Sequence, residues 1–199
     1  MSKLVDEFRD RLLSTKREGM ADLLDYMVDC GFLEAPCSGS YHLAKKGGLL
    51  EHSINVLHLA EKISVAFIGA KNLTKEMKDS IIIASLLHDL GKMGQFDKPN
   101  YVPNVLKSGE VSKAKPFITN PDLIPVDHEI RSVVIASMFI DLTEDEQFAI
   151  LCHNGMYGNL KYMLQGKETP LSMIVHWADM WASRVVEVVT NEKGGNADE

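Results

Sequence analysis

The residues of this 199-residue chain best suited to chemistry are histidines and aspartates at the edges of apolar stretches. His52 stands near the start of a strongly apolar run from Leu49 to Ile68, and His88-Asp89 closes a second run, Ile81 to Leu87. Asp179 interrupts a helical stripe of Leu171, Ile174, Val175, Ala178, Ala182, Val185 and Val189. A carboxylate in such a place is costly to bury unless it is paired or coordinates a cation. No matching set of arginines accompanies these residues, so a metal ion is the expected partner. A single buried histidine is ordinarily a core residue, and only the set of four argues for an ion. Mixed imidazole and carboxylate donors suit Mn, Fe, Co, Ni, Zn or Mg and leave the choice among them open. Adjacent residues on a helix point about 100° apart. His88 and Asp89 can therefore share an ion only in a notch between helices, with His52 and Asp179 supplied by neighbours.

The order and local wording of these residues resemble the HD-domain superfamily of metal-dependent phosphohydrolases. Gly47-Gly48-Leu49-Leu50-Glu51-His52-Ser53 surrounds the first histidine, and Leu86-Leu87-His88-Asp89-Leu90-Gly91-Lys92 surrounds the doublet. His128 in Asp127-His128-Glu129 and His153 in Cys152-His153-Asn154-Gly155 extend the pattern to H…HD…H…H…D. That extended pattern resembles the branches holding two metals, with the doublet aspartate bridging. The resemblance covers residues 41–187, and the wording from Tyr101 to Gly109 and around Asp127 is similar to small HD hydrolases of bacteriophages.

The resemblance implies a phosphohydrolase in which a metal-activated water attacks a phosphate ester. One or two divalent ions would be held by His52, His88, Asp89, His128, His153 and Asp179. Asp89 would also take a proton from the water. Lys92 would face the substrate phosphate if the helix continued past Gly91. Lys46, Asn154, Tyr157, Asn159 and Arg184 are further candidates for substrate contact, although Arg184 could face either the site or the surface. His42, His58 and His176 lie outside the pattern; His176, one turn before Asp179, could brace a ligand and His42, near Lys45 and Lys46, could touch substrate, but core or surface roles are the expectation. A small nucleotide, a deoxynucleoside mono- or triphosphate, is the natural substrate. Cyclic dinucleotides, oligonucleotide 3′ ends, and a non-catalytic nucleotide-binding role are the alternatives.

The elements that must position these residues read as helices. Leu4 to Asp29 is amphipathic, with Gly31 after it as a helix-ending residue. Thr74 caps a helix running to about Leu90, and Thr143 with Glu146 forms a capping box. Pro170 opens the last helix, which runs to about Val189. Five prolines between Met93 and Asp127 exclude a long helix there. Tyr101 to Val105 and Val111 to Phe117 flank Ser108-Gly109 as a possible hairpin, and an insertion of this length is commonly a lid. The expectation is one all-α HD domain over residues 1–192, with the insertion at 93–127 and a disordered polar tail at 193–199.

Composition narrows the partners. A formal charge of −7 disfavours long nucleic acid, whose phosphates repel an acidic protein, but not a small phosphorylated ligand. No apolar run is long enough for a membrane span, and the first residues do not resemble a signal peptide. Cys30, Cys37 and Cys152 are odd in number and lack CxxC spacing, as in reduced thiols of a cytoplasmic protein, host cytoplasm if phage-encoded.

Overall fold

The computed structural model describes residues 2–188, so the tail expected at 193–199 lies outside them. Seven α-helices carry the fold: α1 (Ser2–Ser14), α2 (Met20–Asp29), α3 (Gly48–Phe67), α4 (Lys75–Leu87), α5 (His128–Ser137), α6 (Glu144–Leu151) and α7 (Pro170–Trp181). The apolar run at Leu49 to Ile68 becomes the central helix, burying a broad apolar face while His58 and Lys62 keep a narrow side in water. It packs against α1, α4 and α7, burying Leu49, Leu50, Ile54, Leu57 and Ala60 in one core with Ile83, Leu87, Ile174 and Val175. No described helix is long and apolar enough to cross a membrane.

The capping chemistry is where the sequence places it. Thr74 accepts from the Met77 amide, and Thr143 and Glu146 form a reciprocal capping box. The first helix differs from expectation: Leu4 to Asp29 is two helices, broken at residues 15–19. Thr15 turns its hydroxyl back onto the Leu12 carbonyl, and Lys16 and Gly19 take left-handed conformations. A side chain at Gly19 would put its Cβ 1.9 Å from the Phe139 carbonyl oxygen, so the chain can pass there only as glycine. The break frees Arg17 to pair with the fully buried Glu146 at 2.7 Å.

The doublet helix also stops earlier than expected. α4 ends at Leu87, and Asp89 leaves helical geometry before a 3₁₀ turn at Leu90–Met93. The insertion then forms two small antiparallel pairs, β1 (Gly94–Gln95) with β2 (Lys98–Pro99), and β3 (Tyr101–Pro103) with β4 (Phe117–Thr119). The first pair turns through Phe96 and Asp97, both at φ 56°, the geometry of a primed two-residue hairpin loop. The second ladder continues through a Val105–Val111 bridge to a tip at Ser108-Gly109. Arg131 ties the insertion to α5 through Gln95 Oε1 and the Ile124 carbonyl, at 3.0 and 2.9 Å.

Candidate metal centre

Four imidazoles and two carboxylates from α3, the α4 end, α5, the α6 end and α7 converge on one buried point. His52 Nε2 lies 3.2 Å from His88 Nε2, 3.1 Å from Asp179 Oδ1 and 3.5 Å from Asp89 Oδ2. His88 Nε2 is 3.3 Å from Asp89 Oδ2 and 4.0 Å from Asp179 Oδ1. On the other side of the same aspartate, Oδ1 is 3.2 Å from His128 Nε2 and 3.4 Å from His153 Nε2. Donors bound at about 2.1 Å to one ion stand roughly 3 to 4.2 Å from one another, depending on the angle between them, and the distances in both sets fall in that range.

The break after α4 explains how a sequential pair reaches one point. His88 keeps the helical conformation, while Asp89 takes φ −103° and swings its carboxylate back under the His88 ring. Lys92, on the following turn, places Nζ 2.6 Å from Asp89 Oδ2. Gly91 allows α5 to approach: its amide donates to Ser132 Oγ, which in turn donates to the His128 carbonyl. That contact sets His128 opposite Asp89.

Each imidazole is oriented by what its other nitrogen does. Nδ1 of His52 donates to Glu187 Oε1, of His88 to the Ser85 carbonyl, and of His153 to the Ile150 carbonyl, all at 2.8 Å. Nδ1 of His128 faces Glu129 Oε2 at 3.2 Å. The neutral tautomer so fixed leaves every Nε2 as a lone pair aimed inward, the arrangement metal-ligating histidines require. Lone pairs pressed against carboxylate oxygens repel unless a positive charge lies between them. Asp89 Oδ1 is buried and makes no hydrogen bond, since neither nearby imidazole presents a proton along its direction. This orphaned oxygen and the donor set fit divalent cations, one in each set, sharing Asp89.

Protons compete for the same lone pairs. Burial opposes charge on His52, but Cys37, Asp179 and Glu187 outweigh it and raise its pKa well above the usual imidazole value. His153 is raised because Asp89 overcomes burial, whereas burial prevails at His88 and lowers it. Burial would also raise Asp89, yet Lys92 and His88 hold it well below the usual carboxylate range. Asp179 is likewise lowered, by His52 against the effect of burial. Ion binding would therefore release protons and weaken as pH falls.

A cavity of about 900 Å³ opens onto the centre, lined by Ser40, Tyr41, His42, Lys92, Asn154, Asp179, Ser183, Arg184 and Val188. Arg184 thus faces the site, and its guanidinium stacks on the Tyr157 ring at 4.3 Å. Asn154 lies on the cleft wall and reaches His128, His153 and Glu129. Two other candidates have partners elsewhere. Lys46 pairs with Glu34, and Asn159 donates to Asp127 at 3.2 Å. The loop at 35–47, rather than the insertion, supplies the cleft wall facing α7. Gly48 permits this, because a Cβ there would lie 2.0 Å from the Leu43 carbonyl oxygen.

Sequence reasoning did not place five contributors. His42, set aside as core or surface, lines the cleft, with its ring centroid 5.0 Å from that of His52. His176 donates Nδ1–H to the His153 carbonyl at 2.6 Å, holding that segment from behind. Glu129 follows His128 and braces it. Glu187 lies beyond the motif and steadies His52, together with Asn55, which donates to the same Oε1 at 3.1 Å. Its spacing from Asp179 carried no signal: eight residues of α-helix leave two side chains about 80° apart. The helix widens into a π segment at Ala182–Val186, where each residue turns the chain less, and Glu187 comes round to the Asp179 side.

A family model described as "HD domain" matches residues 49–182, two thirds of the chain. No curated protein and no solved structure matches it.

Proposed function

The chain belongs to the HD domain family, and from that premise we propose that it hydrolyses a phosphate ester of a small nucleotide, a deoxynucleoside mono- or triphosphate. The observation carrying this reading is the gathering of His52, His88, Asp89, His128, His153 and Asp179 in two sets that share Asp89, whose Oδ1 makes no hydrogen bond, beside an open cleft that Asp179 lines. A divalent cation held there would neutralise phosphate oxygens and acidify water toward neutral pH. The protein's own groups supply the rest. Asp89, kept ionised by Lys92, is the carboxylate available to take a proton from the attacking water. Lys92 and Arg184 line the cleft and offer positive charge to the phosphates, within a chain whose overall charge is −7. Arg184 is planar and suited to a two-pronged grip on phosphate oxygens. Tyr41 and Tyr157 are exposed beside the cleft and offer faces on which a base can stack. A cavity of about 900 Å³ falls within the size range of small-molecule sites.

The test is phosphate release with Mn²⁺ across deoxynucleoside mono- and triphosphates, cyclic dinucleotides and short oligonucleotides, beside the Asp89→Ala variant. Release from a deoxynucleotide that disappears in the variant is the expected result. Release from only the cyclic or polymeric substrates would move the assignment to a phosphodiesterase. Binding without turnover anywhere in the panel would make the protein a nucleotide sensor.

A further inference from the structure

Asn154 makes more contacts than its amide can satisfy. Its Nδ2 lies 2.7 Å from Glu129 Oε1, 3.1 Å from His153 Nε2 and 3.4 Å from His128 Nε2. An ionised carboxylate only accepts, so Glu129 requires the amide nitrogen, and not its oxygen, on this side. The two imidazoles have already committed Nδ1, to the Ile150 carbonyl and to Glu129, and face the amide as acceptors. Three acceptors therefore surround a group with two protons. Glu129 takes one at the shortest distance, and the two histidines compete for the other.

The same two Nε2 atoms, with Asp89 Oδ1, make up the second ligand set. The amide serves two of its three members and leaves the third, Asp89 Oδ1, without a hydrogen bond. We propose that Asn154 is a built-in competitor for the second ion, capping His128 and His153 until a divalent cation displaces it. This inference rests on the metal-centre reading above, which it deepens by giving the two sets an order of loading. The set of His52, His88, Asp89 and Asp179 offers four ligands and two carboxylates and fills first. The set of Asp89, His128 and His153 offers three ligands and one shared carboxylate. Its ion must also break the amide's hydrogen bonds before it enters. Once displaced, the amide is free to turn toward the cleft it already lines.

The experiment is calorimetric titration of the full chain with Mn²⁺ after chelator treatment, for the native protein and for Asn154→Ala, Asn154→Ser and His128→Ala. Circular dichroism melts establish that each variant is folded. The native protein should show one tight and one weak event, with the weak event absent in His128→Ala. Removing the amide should leave the tight event unchanged. The weak event should tighten by about 5- to 10-fold, the worth of the one ordinary hydrogen bond, shared between the two histidines, that no longer has to break. If both Asn154 variants bind the second ion as the native protein does, or more weakly, the competitor role is wrong, the weaker case making Asn154 a supporting group. No Mn²⁺ binding by the native protein would instead overturn the metal centre itself, so the two failures are distinguishable.

Discussion

Gly91→Ala tests how the fold builds the second half of the site. A Cβ at position 91 would lie 2.3 Å from the His128 carbonyl oxygen, 2.8 Å from Arg131 Cβ and 3.0 Å from the Ser132 amide, where ordinary contact begins near 3.4 Å. Two of these atoms are backbone of α5 and cannot rotate away, so α5 must retreat by about 1 Å. The hydrogen bond from the Gly91 amide to Ser132 Oγ, 2.8 Å long, stretches with it. Overpacking of this kind costs about 1 to 3 kcal/mol. In a chain of this size, that lowers the melting temperature by roughly 2 to 12 °C. The same retreat takes His128 Nε2 from 3.2 Å to about 4 Å from Asp89 Oδ1, close to the roughly 4.2 Å limit for two donors that share an ion with bonds of about 2.1 Å, which weakens the second set. Scanning calorimetry and Mn²⁺ titration should therefore show a less stable protein that keeps its tight ion and binds its weak one less tightly. A variant that melts like the native protein and binds both ions as tightly would refute the claim that Gly91 sets the α5 approach.

Three further outcomes follow from other contacts. Glu187→Ala removes the acceptor that holds His52 in its ligating tautomer, so Mn²⁺ affinity should fall about 10- to 100-fold, with partial recovery in Glu187→Gln; an unchanged dissociation constant would exclude this role. Glu146→Ala strips the partner from Arg17 and the acceptor from Ser80 and the Thr143 amide. Its cost in urea unfolding should be about 3 kcal/mol, at the low end for a broken buried pair because Arg17 keeps some access to water. Burial first, then the charges of His52 and Lys92, lower the His42 pKa to about 4, so it is neutral in the fold and gains a proton on unfolding near its ordinary 6.5. Its contribution is full above that value and lost as pH falls toward 4, roughly 3 kcal/mol in all. His42→Gln should flatten that part of the stability profile, and parallel profiles for the two proteins would contradict it.

The candidate ligands stood out in the chain. A histidine or aspartate inside an apolar helical stripe stands out because burial without a partner is so costly, and His52, His88, Asp89 and Asp179 each do so. Thr74, Thr143 and Pro170 likewise announced the helix starts, because capping is chemistry between residues three apart. The split of the first helix was less visible. It depends on the Phe139 carbonyl that Gly19 meets and on the buried Glu146 that Arg17 reaches, both far along the chain.

Which of these residues touch was settled only in three dimensions. Asp89 turns its carboxylate toward His88 Nε2 because the helix ends one residue before the doublet, a choice that a helical wheel cannot express. Glu187 reaches His52 because a π segment shifts its phase, and His42 because Gly48 lets a loop fold back over α3. Periodicity reports which face of its own element a residue occupies. It says nothing of what the neighbouring element brings to that face. The sequence by itself singled out residues whose chemistry suits a metal ion. The tertiary structure alone decided that Arg184 faces the cleft, that Asn154 lies against the second ligand set, and that one oxygen of Asp89 has no hydrogen bond.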